Sequence, residues 1–260
     1  MAAPYLVGTV HLPPLPGSAR GGNASEIGMI LDRARDDALR YAEGGFNAVI
    51  VENFGDVPFV KDQVGPHVVA AMTLAVAAVR EATGLPTGVN VLRNDVLSAV
   101  SIAAMTGARF VRANVYAGAM LTDQGMIEGH PEEVQTLIKR LGADVEVWAD
   151  VDVKHAVPLA PRPLGEQAED AVERGLASAV IVSGSGTGRP AAVADLQDIR
   201  SVLPRVLLYV GSGATVETLP ALCRIATGAI VGTAAKVDGA VTNPVDPDRV
   251  RALRAAADRR

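Results

Sequence analysis

The chain alternates short apolar runs with longer amphipathic segments. The apolar runs cover residues 5–10, 47–51, 87–91, 110–115, 145–150, 179–183, 206–210 and 229–232. They are continuous rather than alternating, which is typical of parallel strands buried on both faces. The intervening segments have the periodicity of helices, and several end at a glycine, as at Gly44, Gly84, Gly107 and Gly142.

This order of elements predicts an α/β fold, a (β/α)8 TIM barrel formed as a single domain by residues 1–260. Eight strand–helix units in about 250 residues are usual for this barrel. A doubly wound open sheet is the alternative. Its first turn often carries a glycine-rich dinucleotide fingerprint, whereas here the first strand is followed by HLPPLPGS.

Composition narrows the class of partner. Apolar residues make up 49% of the chain, enough for a sizeable core, and the net charge of −5 argues against nucleic-acid binding. The single cysteine excludes a disulfide framework.

No apolar run approaches the roughly 18 residues of a membrane span, and the N-terminus lacks the basic segment of a signal peptide. We therefore expect a cytoplasmic protein without an integral membrane segment. Association into a homo-oligomer stays open.

Polar residues collect where the predicted strands end. In a TIM barrel the carboxyl ends of the strands share one face, and that face carries the active site. The predicted substrate-binding residues on it are His11, Asn53, Asn90, Arg93, Arg112, Asn114, Asp123, Ser185 and Thr187. Structural roles are the alternative: a helix cap for Asn94 and Asp95, an ion pair for Arg112, and a loop hydrogen bond for His11.

The densest polar segment, DVDVKH, follows the fifth strand. The candidate catalytic residues are Asp150, Asp152, Lys154 and His155 from this segment, and Glu52 from the end of the second strand. A carboxylate can orient water or stabilise an oxocarbenium-like transition state, and a histidine or lysine can protonate a leaving base. The same acids and His155 are also potential metal ligands. However, no H-x-x-x-H spacing occurs, and we predict neither a metal nor another cofactor.

Two glycine-containing loops, VGSGAT and VGTAAK, follow the seventh and eighth strands. Loops in these two places often bind phosphate in TIM barrels, because glycines let backbone amides approach an anion. The predicted phosphate-binding residues are Gly211, Ser212, Gly213, Gly232 and Thr233, with Lys236 as a further donor. The alternative is that these glycines only permit tight packing between a strand and the next helix.

Seven motifs in order resemble the BtpA family of BtpA/SgcQ-like proteins over residues 5–252. They are HLPPLPGS (11–18), VENFGD (51–56), GVNVLRND (88–95), GAMLTDQGMIEG (118–129), ADVDVKHA (149–156), VSGSGTG (182–188) and the pair VGSGAT and VGTAAKVDG. The resemblance implies a TIM barrel related to phosphate-binding barrels. It also implies either a nucleosidase or a factor in photosystem I biogenesis or stability. The family motif reads D-V-x-V-K-H with Asp152 at the variable place, which favours Asp150 over Asp152.

Three functions remain open from the sequence. The favoured one is a nucleosidase-like hydrolase that cleaves an N-glycosidic bond of a nucleoside-like or phosphosugar substrate. The second is a sugar-phosphate isomerase or lyase, in which Lys154 could form a Schiff base. The third is a non-enzymatic photosystem I biogenesis factor, which rests on the family resemblance alone. The chain lacks the basic amphipathic helix that membrane-surface binding would suggest.

Overall fold

The computed structural model describes residues 3–151, 153, 156–160, 162–183 and 193–259. Its strands are β1 (Tyr5–His11), β2 (Ala48–Glu52), β3 (Thr87–Asn90), β4 (Phe110–Ala113), β5 (Ala119–Thr122), β6 (Gly125–Glu128), β7 (Glu146–Val151), β8 (Ala156–Pro158), β9 (Ala179–Val182), β10 (Leu207–Val210) and β11 (Gly228–Val231). Eight of them close into a parallel barrel in the order β1-β11-β10-β9-β7-β4-β3-β2. These are the eight predicted strands, and the predicted (β/α)8 barrel is confirmed.

Helices follow the barrel strands along the chain. They are α1 (Ile27–Glu43), α2 (Pro66–Thr83), α3 (Val96–Thr106), α4 (Pro131–Leu141), α5 (Leu164–Glu169), α6 (Val193–Val202), α7 (Leu219–Leu222) and α8 (Pro247–Asp258). Three of the predicted glycine stops have left-handed backbones: Gly84, Gly107 and Gly142 have φ of 65°, 72° and 59°. A residue without Cβ adopts this conformation at no steric cost, which explains why these helices end there.

The interior of the barrel is filled by a stack of three aromatic rings. Trp148 lies between Phe110 and Tyr209, with ring centroids 3.9 Å and 4.3 Å away. Small and branched side chains from β1, β2, β9 and β11 complete the same buried cluster. On β3 the inward position is Gly88, where an added Cβ would lie 2.2 Å from the Phe110 ring. The stack therefore requires a glycine on the neighbouring strand.

A buried ion pair joins the last barrel loop to the first helix. Lys236 Nζ lies 2.8 Å from Asp37 Oδ2, and Asp37 Oδ1 accepts a hydrogen bond of 2.7 Å from the Val245 amide. Desolvation lowers the pKa of Lys236, and the charge of Asp37 opposes that shift. Lys236 therefore ties the chain to α1, and the expectation that it adds a donor to a phosphate site is wrong.

A small antiparallel sheet, in the order β6-β5-β8, extends the carboxyl side of the barrel. Met120 and Ile127 pack from it against Val115 and Val153, which follow β4 and β7. The strand pattern does not predict this sheet, because its strands are mostly half-buried or exposed, in contrast to the continuous buried runs of the barrel strands. It places the turn that carries Asp123 beside the end of the barrel that holds the polar strand ends.

We predict that Gly88→Ala lowers the free energy of unfolding by about 1–3 kcal/mol, because its Cβ displaces the Phe110 ring from the aromatic stack. Urea unfolding followed by fluorescence of Trp148, the single tryptophan, measures the change. The matched control is Gly28→Ala on α1, where an added Cβ has no neighbour within 4 Å. This control is neutral or stabilising, because alanine favours a helix. Equal stability of Gly88→Ala and the unmodified protein would contradict the packing argument.

Candidate active site

A ring of polar side chains lies at the carboxyl end of the barrel. Its members occupy the inward-facing positions that follow those of the apolar interior. We call it the polar ring; its members are His11, Glu52, Asn90, Arg112, Asp150 and Ser183, one from each of six strand ends. Side chains alternate along a strand. Arg112 therefore points inward like Phe110, and Asp150 points inward like Trp148. The same alternation places Ser183 two residues beyond Ile181 of the interior cluster.

Arg112 is at the centre of the polar ring and contacts both of its carboxylates. Its Nε lies 2.8 Å from Asp150 Oδ2, and its Nη1 lies 3.3 Å from Glu52 Oε1. The side chain is 11% exposed. Burial lowers the pKa of Arg112, but the charges of Asp150 and Glu52 outweigh this effect and raise the pKa above its ordinary value. The guanidinium is therefore a permanent positive charge between two acids.

Both oxygens of Asp150 are fully hydrogen-bonded. Oδ1 accepts from Arg112 Nη2 at 3.1 Å and from the Ser183 hydroxyl at 3.0 Å. Oδ2 accepts from Arg112 Nε at 2.8 Å and from Asn114 Nδ2 at 2.9 Å. The Asp150 side chain is 0% exposed. This carboxylate positions Arg112, and it could accept a proton from a substrate only by giving up one of these bonds.

Glu52 differs from Asp150, because only one of its oxygens is held by Arg112 and Asn90. Oε1 accepts from Asn90 Nδ2 at 3.2 Å and from Arg112 Nη1 at 3.3 Å. Oε2 lies 3.9 Å from His11 Nε2 on the adjacent strand. The His11 ring packs against Phe54, with centroids 4.7 Å apart. The polar ring thus contains a carboxylate and an imidazole side by side, the groups that general acid–base catalysis uses.

The glycine loops after β10 and β11 lie against this ring. A Cβ on Gly211 would lie 2.5 Å from the Ser183 hydroxyl, and one on Gly232 would lie 2.8 Å from His11 Cε1. Gly213 has a left-handed backbone, with φ of 71°. Ser212 is buried, whereas Thr233 is exposed at the start of a 3-10 turn. Gly211 and Gly232 are therefore tightly packed, and both loops contact the polar ring.

Two polar residues that follow the second strand, the predicted Asn53 and its neighbour Asp56, hold loops together. Asn53 donates to Asp56 Oδ2 at 3.0 Å and accepts from the Leu92 amide at 2.7 Å. Asp56 Oδ1 accepts from the Leu15 amide at 2.7 Å. The loops after β1, β2 and β3 are joined by these bonds. They give Asn53 a structural role, because both ends of its amide are engaged.

The loop after β3 supports the mouth of the barrel in a similar way. Asn94 exchanges two hydrogen bonds of 2.8 Å with the backbone of Val115. Asp95 is the N-cap of α3 and accepts from the Ser98 amide at 3.0 Å. Arg93, the residue before them, is also buried. Desolvation lowers the pKa of Arg93, opposed by the charges of Asp150 and Asp123.

The remaining predicted residues divide into two groups. Asp123 lies exposed on the turn between β5 and β6, where its carboxylate accepts a hydrogen bond of 2.6 Å from Gln124. The residues that lie outside the described part of the chain are Asp152, Lys154, His155, Ser185 and Thr187. Among the described residues, no group of three His, Cys, Asp or Glu side chains has an arrangement that could hold a metal ion.

The sequence matches one known protein family over almost its whole length. The profile of the BtpA family matches residues 3–259. The chain belongs to the BtpA family. It is 44% identical to the photosystem I biogenesis protein BtpA of Synechocystis, over 249 residues that cover 95% of this chain and 86% of that protein. It is 46% identical to an uncharacterized protein of Thermococcus kodakarensis, covering 95% and 93% of the two chains.

Structural comparison agrees with the barrel topology of this BtpA-family protein. The N-(5'-phosphoribosyl)anthranilate isomerase of Pyrococcus furiosus superimposes with a TM-score of 0.57 over 97% of this chain and 98% of the isomerase. At 13% sequence identity, this similarity concerns the fold. In the part of the chain that the structure describes, no helix has the length and apolar character needed to cross a membrane.

We predict that Arg112→Met lowers the free energy of unfolding by about 3–5 kcal/mol, because it leaves two buried carboxylates without their cation. Adding Asp150→Asn recovers part of the loss, since one of those two charges is then removed. Urea unfolding of both single variants and the double variant gives the coupling energy.

The control for this cycle is Arg109→Met, which removes the ion pair between Arg109 and Asp144. Both of those side chains are at least half exposed, so the change is within about 1 kcal/mol. Additive effects of Arg112→Met and Asp150→Asn would show that the two side chains do not depend on each other.

Proposed function

We propose that this protein is an enzyme that hydrolyses an N-glycosidic bond of a phosphoribosyl or related sugar-phosphate substrate, with Glu52 as its catalytic carboxylate. One contrast carries the proposal. The Asp150 carboxylate accepts four hydrogen bonds, whereas Glu52 Oε2 faces His11 Nε2 at 3.9 Å. Of the two buried acids of the polar ring, Glu52 is the one with an oxygen available for chemistry.

In this reaction the bond between the anomeric carbon and the base nitrogen breaks, and its electron pair leaves with the base. Water adds to the anomeric carbon and gives up one proton, while the leaving nitrogen takes up another. Glu52 Oε2 receives the proton of the water, and its negative charge stabilises the oxocarbenium-like transition state. Asn90 and Arg112 hold Glu52 in position through its other oxygen, Oε1. The segment that the sequence predicts as proton donor contains Lys154 and His155.

The surroundings of the pair support an anionic substrate. Arg93 is a second buried guanidinium near Asp150, in addition to Arg112, whose charge Glu52 and Asp150 offset. The Gly211 amide donates to the Val182 carbonyl at 2.8 Å, so a phosphate would bind the other amides of these two loops. The contact of Gly232 with His11 would place it close to Glu52. Such a substrate would place its phosphate on the glycine loops and its sugar over the polar ring.

A sugar-phosphate isomerase is the second candidate, and the His11–Glu52 pair is the observation that favours it. A carboxylate and an imidazole can also move a proton between two adjacent carbons through an enediol. The structurally similar isomerase from Pyrococcus furiosus acts on a phosphoribosyl compound, as its name states. The two reactions are distinguishable, because isomerisation releases no base.

The name of the Synechocystis relative suggests a role in photosystem I biogenesis. Such a role is compatible with an enzymatic one. If biogenesis were the only function, the polar ring would have no role. Burying so many polar groups costs free energy, and an assembly factor without a catalytic site does not require them. We therefore rank the enzyme first.

We predict that Glu52→Gln reduces kcat by about 10²–10⁴-fold, because the amide cannot accept the proton of the attacking water. The assay is chromatographic detection of free base from a panel of nucleosides and nucleoside 5'-monophosphates. A parallel assay follows conversion of ribose 5-phosphate to a ketose. The matched control is Glu146→Gln, which lies at the amino end of the barrel and accepts a hydrogen bond of 2.9 Å from Trp148.

The control variant retains full activity. Unchanged turnover by Glu52→Gln would remove Glu52 from the mechanism. If the unmodified protein releases no base from any compound of the panel, the hydrolase assignment is wrong. Ketose formation in its place would establish the isomerase.

A further inference from the structure

We infer that Asn114 is a specificity-determining residue whose Oδ1 accepts a hydrogen bond from a hydroxyl group of the substrate sugar. This inference rests on the proposed function and goes beyond it, because it names an atom and the kind of group that this atom selects. Three properties of the Asn114 amide point to this role: its orientation, its burial and the charges beside it.

The orientation of the amide is fixed by Asp150. Asn114 follows β4 and points inward like Arg112, two residues before it. Its Nδ2 donates a hydrogen bond of 2.9 Å to Asp150 Oδ2. An amide nitrogen donates and an amide oxygen accepts, so the opposite orientation would place two acceptors against each other. The amide therefore presents Oδ1 as an acceptor.

The acceptor is buried and has no hydrogen-bond partner among the residues that the structure describes. Asn114 itself is only 4% exposed. A buried oxygen without a donor is costly, and native proteins keep such atoms rarely, often where a ligand or a water completes the bond. Because this oxygen belongs to a side chain that contacts the polar ring, a bound substrate is the partner that the proposed function supplies.

The chemistry of the site selects a hydroxyl. Oδ1 can pair only with a donor, and the neighbouring Asp150 carboxylate disfavours an anion at the same point. A sugar hydroxyl meets both conditions. A ketone oxygen fails the first condition because it has no proton to donate, and a carboxylate fails both. The site therefore favours a hydroxylated ribosyl group over an oxo acid, in agreement with an N-glycoside substrate.

The test compares the binding of three probes by isothermal titration calorimetry: ribose 5-phosphate, 2-deoxyribose 5-phosphate and 3-deoxyribose 5-phosphate. We expect the unmodified protein to bind ribose 5-phosphate about tenfold more tightly than at least one deoxy compound. In Asn114→Ser, whose shorter side chain lacks the amide oxygen, that preference falls to about twofold or less. The control Asn23→Ser, at an exposed position before α1, keeps the preference.

The ratio of affinities separates the inference from structural damage, because a disturbed Asp150 weakens all three probes alike. The inference is overturned if the unmodified protein binds the three probes equally, or if Asn114→Ser keeps the full preference. Both of those results leave the proposed function standing, since ribose 5-phosphate still binds. Failure of the unmodified protein to bind ribose 5-phosphate would count against both proposals.

Discussion

The guanidinium of Arg112 is the group on which the polar end of this barrel depends. A buried cation is stable only where its charge is offset, and Glu52 and Asp150 provide that offset from opposite sides. The two acids are not equivalent, because Asp150 also binds Asn114 and Ser183. This asymmetry assigns anchoring to one carboxylate and leaves an oxygen of the other beside His11.

The apolar interior determines where along the barrel axis this network lies. The stacked rings of Phe110, Trp148 and Tyr209 fill the barrel below Arg112, so the next inward residues form the floor of the mouth. Glycines make room where neighbouring side chains approach closely: Gly88 beside Phe110, and Gly211 beside Ile181 and Ser183. A side chain that fills the barrel from one strand therefore requires a glycine on the strand that faces it.

The strands and most helix ends could be predicted from the sequence, because buried parallel strands are continuous apolar runs and a left-handed helix end requires glycine. The hairpin at residues 119–128 does not follow from the sequence, because its strands are mostly half-buried or exposed and form no continuous buried run. The role of Lys236 was not predictable, since its partner Asp37 lies 199 residues away in the chain. Alternation along β9 is the signal that could have identified Ser183 as a partner of Asp150.

The account centres on Glu52 as the group that acts on a sugar held over the polar ring. A crystal structure of the protein with bound ribose 5-phosphate tests this most directly. We expect the anomeric carbon within about 3.5 Å of Glu52 Oε2 or of a water held by it, with the bonds between Asp150 and Arg112 intact. A sugar bound away from the ring, or an anomeric carbon placed against Asp150 in place of Glu52, would contradict the account.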